Sequence, residues 1–197
     1  LVRAEALDET DHGLPLRQGA QVGTSAVRRQ AQLGQLRPDL VLKELRGNVP
    51  TRVDKLRRGA YDAILLAYAG LRRLELDLSG LYTRVLPTTA MVPAPAQGAL
   101  ALECRQADLR LQALLQPLDD PQARRTVAAE RGLMQRLAGG CQLALGAWAQ
   151  ETPQGLMLLA WYGGRRYQAL ADTPEAVAEA VYRQICAQHP EVVCELS

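Results

Sequence analysis

Apolar and polar positions change period several times along the chain. Residues 1–20 are polar and irregular, punctuated by Gly13 and Pro15, and read as a linker into an apolar step over 20–23. That step predicts a short strand ending at Gly23. Thr24 or Ser25 then suits the N-cap of a helix whose apolar stripe is Val27, Ala31, Leu33 and Leu36, and Pro38 stops it. Residues 40–45 read as a second strand. After the loop Arg46-Gly47-Asn48-Val49-Pro50, Thr51 is expected to cap a short helix ended by Gly59, and residues 62–67 form an apolar, buried strand. Strand, helix, strand, helix, strand predicts an α/β layer, whose ligand loops lie at the strand ends.

Pro87, Pro93 and Pro95 then mark a stiff crossing segment, with a domain boundary near it. Beyond it, residues 99–103 read as a strand and 109–115 as a helix. Asp119-Asp120-Pro121 is a strong helix start, and the helix runs amphipathically through Val127, Met134 and Leu137 to Gly139-Gly140. Three strand-like stretches follow within 144–170. Thr173 and Pro174 open a closing helix with Val177, Val181 and Ile185 on one face. This last part reads as a small α+β domain.

Composition narrows the picture. The 197 residues suit two modest domains better than one. The 48% hydrophobic content supplies real cores from Leu, Ala and Val without a single Phe. A net charge of +2 gives no general affinity for nucleic acid or anionic membrane, so the placement of the arginines matters more than their number. Cys104, Cys141, Cys186 and Cys194 make no CxxC pair, and two histidines add little, so no metal site is expected. No apolar run approaches a membrane span, and a reducing cytoplasm is expected. Leu1, opening a charged stretch, suggests that the native polypeptide is longer.

Candidate chemistry lies in the arginines and one cysteine. Arg28-Arg29 follow a helix start, where two guanidinium groups and free backbone N–H groups can converge on an anion. A single surface arginine is usually a solvated charge. Arg28, Arg29, Arg46, Arg52 and Arg73, however, all fall at or near predicted loops and helix starts of one domain, with Gly47 and Gly70 permitting close approach. Together they predict a polyanion pocket. Cys141 follows Gly139-Gly140 at a helix end, a plausible place to display a nucleophile, although an isolated cysteine is more often a small buried hydrophobe. Cys104, Cys186 and Cys194 read as core or tail residues. Glu103 and Glu130 read as ordinary salt-bridge partners, without a catalytic role.

Several runs resemble one family. Val22-Gly-Thr-Ser-Ala-Val-Arg-Arg-Gln-Ala-Gln-Leu33, Leu45-Arg-Gly-Asn-Val-Pro-Thr-Arg52 and Tyr61-Asp-Ala-Ile-Leu-Leu-Ala-Tyr-Ala-Gly-Leu-Arg-Arg-Leu74 are similar to the second domain of the porphobilinogen deaminases (hydroxymethylbilane synthases). Pro93-Ala-Pro-Ala-Gln-Gly-Ala-Leu100 and Glu103-Cys-Arg105 resemble the strand returning to the first domain. Glu130-Arg131 through Leu137-Ala-Gly-Gly-Cys-Gln142 resembles the cofactor-attachment signature. These runs span nearly the whole chain in the family's order.

The resemblance implies a periplasmic-binding-protein-like domain 2 over residues 1–92. It implies a returning remnant of domain 1 with a hinge over 93–118, and a C-terminal α+β domain over 119–197. It implies a transferase of haem biosynthesis that condenses four porphobilinogen molecules head to tail, releases ammonia, and acts as a cytoplasmic monomer on pyrroles rather than nucleic acid. It assigns a covalent dipyrromethane cofactor to Cys141, held by Thr24, Ser25, Arg28, Arg29 and Arg46, and gives Arg52 and Arg73 to substrate. No residue matches the family's catalytic aspartate, which belongs to an N-terminal half-domain without counterpart here, so the segment alone is expected to be inactive. Ala26, Ala96 and Ala144 depart from the family's usual hydroxyl residue, glycine and proline. The competing reading is a non-enzymatic anion-binding module of periplasmic-binding-protein-like fold.

Overall fold

A computed structural model describes residues 1–8, 13–137 and 143–190. The chain divides into two compact units, the first built on Leu1–Met91 with Leu143 and Ala144, the second on the remainder from Val92 onward.

The first unit is a five-stranded mixed sheet in the order β3-β2-β4-β1-β5. Its parallel centre comprises β2 (Gln21–Gly23), β3 (Val41–Lys43) and β4 (Ala63–Ile64), which alternate with α1 (Val27–Leu36) and α2 (Val49–Arg57). The expected alternation is therefore present, although the strands are shorter than their apolar runs. Residues 1–20 are not simply a linker. Within them β1 (Val2–Arg3) pairs antiparallel with β4 and with β5 (Leu81–Tyr82), and Val2, Ala6 and Leu16 are buried. Strands of two or three residues leave no period to read.

Alternation along β4 places its two residues on opposite faces of the sheet. Ala63 joins Val2, Val22 and Leu33 in one apolar cluster, while Ile64 joins Leu45, Val53 and Leu56 in another. Thus α1 covers one face and α2 the other. The expected stripe on α1 is only partly buried: Leu33 is enclosed beside Gln32, whereas Val27 and Leu36 are exposed. Polar ties fix residues 14–21 against the sheet. Arg37 forks onto Asp39 and donates to Leu14 O and Leu16 O, and Arg17 reaches both oxygens of Asp62 at 3.1 Å.

The second unit contains α4 (Leu109–Leu115), α5 (Pro121–Arg136), β6 (Gly146–Thr152), β7 (Gly155–Tyr162), β8 (Arg165–Ala171) and α6 (Pro174–Gln188). The strands form the expected antiparallel meander, β6-β7-β8. Two helix starts follow from local chemistry. Asp120 accepts from Gln122 N and Ala123 N ahead of Pro121, and Thr173 accepts from Ala176 N ahead of Pro174. Val177, Val181 and Ile185 are fully enclosed, as their spacing requires. α5 crosses α6 closely at Gly132, where a methyl would sit 3.3 Å from Ala178 Cβ.

Three sequence expectations need correction here. Residues 99–103 form no strand; Leu100 and Leu102 are exposed, with no neighbouring strand among the described residues to complete their backbone pairing. Glu130 is not a salt-bridge partner. Its buried carboxylate accepts from Ala149 N at 2.8 Å and Ala96 N at 2.6 Å, and burial, opposed by those two bonds, raises its pKa. Cys186 is not a plain core thiol but is disulfide-bonded, whereas Cys104 is free. Among the described residues no helix is long and apolar enough to cross a membrane.

Candidate anion-binding site

The parallel strands of the first unit all deliver their chains to the same edge. β2 runs into Thr24 and α1, β3 into Arg46 and α2, and β4 into α3 (Tyr68–Leu74). Open α/β sheets place ligands at this carboxyl edge.

Gly23, the last residue of β2, has no space for a side chain. A methyl there would lie 2.8 Å from the Tyr61 ring and 3.1 Å from Ile64 Cγ2, and the Tyr61 hydroxyl is itself tied to Glu44 O at 2.7 Å. Thr24 follows at 1% exposure, and its Oγ1 has no hydrogen-bond partner among the described residues. A buried hydroxyl in that state normally forfeits about 1–3 kcal/mol, so it marks a place where a polar partner belongs. Neither Thr24 nor Ser25 caps α1. The N-cap is Ala26, without a side-chain bond, because the Ser25 hydroxyl is spent on Leu45, donating to its carbonyl and accepting its N–H at 3.0 Å. The first N–H groups of a ten-residue helix are thereby left without a side-chain acceptor.

Arg28 and Arg29 stand on the first turn of α1, half-buried. Burial pulls the Arg28 guanidinium down to about 10, with repulsion from Arg29 second. Arg29 is lowered too, by burial and then by Arg52, and donates to Leu65 O at 3.1 Å. Three guanidinium groups from α1 and α2 thus feel one another's field. Arg52 is steered by a 2.7 Å bond to Gly47 O, and Gly47 holds a left-handed φ of 120° where a methyl would strike Thr51.

The remaining assigned arginines are exposed. Arg46 is exposed and paired with Glu44 at 2.7 Å, and Arg73 is exposed on the last turn of α3. Thr51 does not cap α2. Asn48 does, accepting from Thr51 N at 2.9 Å and from its hydroxyl at 2.7 Å. Asn two residues before Pro50 was the available signal. Cys141, like Gly139 and Gly140, lies outside the described residues.

A sheet edge with an uncapped helix, a buried unsatisfied hydroxyl and mutually repelling arginines makes this α/β unit a candidate site for anionic groups. Comparison with known proteins gives the family. The model "Porphobilinogen deaminase, dipyromethane cofactor binding domain" matches residues 3–113, and the chain belongs to the porphobilinogen deaminase family. It is similar to the porphobilinogen deaminase of Roseiflexus sp. (strain RS-1), 48% identical over 147 residues, covering 75% of this chain and 48% of that protein. Its likeness to the Roseiflexus castenholzii (strain DSM 13941 / HLO8) protein is 48% over 145 residues, covering 74% and 47%. The chain thus spans about half the length of the curated relatives it matches.

Proposed function

We propose that this chain is the cofactor-holding part of an enzyme that condenses four porphobilinogen molecules head to tail, releases ammonia and yields hydroxymethylbilane. A dipyrromethane group joined by thioether to Cys141 supplies, when bound, the pyrrole carbon from which the chain grows. Every pyrrole carries an acetate and a propionate, so the bound chain is a polyanion whose burial requires fixed cations. Arg28, Arg29 and Arg52 fill that role, and Thr24 Oγ1 with the open end of α1 adds neutral donors. Arg46 and Arg73, being exposed, serve the rim and later pyrroles. Ser25 holds the loop at Leu45 rather than facing the ligand.

The observation that carries the reading is the buried, unsatisfied Thr24 hydroxyl beside arginines whose charge is already disfavoured. A non-enzymatic anion-binding module has no use for Cys141 in its attachment signature, so it is the weaker reading. We assign residues 1–92 to a periplasmic-binding-protein-like second domain, 93–118 to the returning part of the first, and 119–197 to the C-terminal domain. We assign the enzyme to the cytoplasm as a monomer.

The test is intact mass and peptide mapping of the complete polypeptide carrying this sequence. A pyrrole adduct is expected on Cys141, lost in a folded Cys141→Ala. Arg29→Leu should cut cofactor loading more than tenfold, since a charge-assisted pair contributes about 1.5–3 kcal/mol. An adduct on Cys104, Cys186 or Cys194, or unchanged loading in Arg29→Leu, overturns the assignment. Residues 1–197 alone should release no ammonia from porphobilinogen, because the acid/base group lies outside them.

A further inference from the structure

Ala96 is one of two non-glycine residues, among those described, with a positive φ, at 60°. An alanine rarely adopts this left-handed conformation without external support. The support is visible. Its N–H donates to Glu130 Oε2 at 2.6 Å, while Glu130 Oε1 accepts the N–H of Ala149 at 2.8 Å. The carboxylate, 7% exposed on α5, therefore staples a turn to a strand, one oxygen for each.

The same turn is fastened at its start. Ala147 N donates to Pro93 O at 2.9 Å, and a side chain at Gly146 would strike Val92 O at 2.9 Å, so residues 92–93 lie tightly along β6. Past Gly98, itself at φ 97°, nothing comparable among the described residues holds the chain, and Leu100 is 72% exposed. Residue 96 is thus the last firmly held point before the exposed stretch that leads to α4.

We propose that Glu130 is a positioning residue for the 93–98 turn: its two carboxylate oxygens hold Ala96 in the left-handed conformation and thereby set the direction in which the chain runs on into residues 99–118. The role needs a group with two acceptors. Glutamine offers one and presents an N–H group to the other amide. The proposal is independent of the reaction assigned above, and its test needs no turnover.

Amide hydrogen exchange on the full chain reads it directly. In the unsubstituted protein the Ala96 amide, although outside any helix or strand, should be protected at least tenfold over the rate of an open chain. E130Q should accelerate exchange at both Ala96 and Ala149 at least tenfold while leaving Leu158 and Val181 unchanged. A96G should raise Tm in the unsubstituted background, by removing the left-handed penalty, and lose that benefit in E130Q, where the turn has already relaxed. Free-chain exchange at Ala96 in the unsubstituted protein overturns the proposal, whatever the variants do. Equal stabilisation by A96G in both backgrounds also overturns it, because the carboxylate would then not be what holds the turn.

Discussion

Replacing Arg28 by Met should make the ligand-free protein more stable and a poorer binder of anions. The depression of its pKa to about 10 corresponds to roughly 3 kcal/mol of disfavour for the charged form relative to an ordinary arginine. The side chain is only half-buried, so solvent screening reduces the recoverable part to about 1–2 kcal/mol. The sign follows from linkage. A cation whose folded pKa is depressed destabilises the fold at every pH below that value, and the penalty disappears only as the pH rises through about 10 towards the unfolded value. Methionine keeps the unbranched stem and its packing without the charge. Scanning calorimetry at pH 7 should therefore show the transition of the first unit rising by about 5–10 °C. Sulfate or porphobilinogen should raise Tm of the unsubstituted chain, and that gain should shrink in Arg28→Met. A lowered Tm without ligand, or an undiminished gain with it, would refute the argument.

Asn48→Ala should cost about 1 kcal/mol by removing the cap of α2, while Asn48→Asp should keep most of it, measured as a shift in denaturant midpoint. Leu109→Glu with Leu114→Glu should leave stability within about 0.5 kcal/mol yet raise solubility and reduce binding of a hydrophobic dye, because both leucines are exposed at 74% and 64%. A loss above about 1 kcal/mol in the double variant would mean that this face is covered.

Legibility in the sequence followed locality. Asp120-Pro121 and Thr173-Pro174 were readable because cap and helix lie within four residues. Thr51 was misread because a stronger cap, Asn48, stood three residues earlier. Thr24 and Ser25 were misread because the Leu45 loop, 20 residues away, claims the Ser25 hydroxyl. Residues 99–103 had the apolar content of a strand, but a strand is completed by its neighbour, which no local pattern supplies. At the candidate site, the places of Arg28, Arg29 and Arg52 near helix starts were legible, and what the structure adds is the repulsion of Arg29 on Arg28 and of Arg52 on Arg29. Arg46 sits instead on Glu44, two residues before it, a pairing that the spacing did offer. Glu130 was illegible as a staple, since both of its partners are backbone N–H groups that carry no residue-type signature.

The place of β1 in the first sheet has a consequence for the order of events during synthesis. Val2 pairs with Ala63 and Tyr82, so β1 finds its neighbours only after some 60 to 80 further residues have been added. At about 5–20 residues per second, that is an interval of several seconds during which the apolar side chain of Val2 stays unpaired on the ribosome. The β6-β7-β8 meander and α6 close on residues made just before them and are ready almost as they emerge. The second unit therefore closes its sheet by local steps and the first by a long-range one, which makes the first unit the stage more open to chaperone capture.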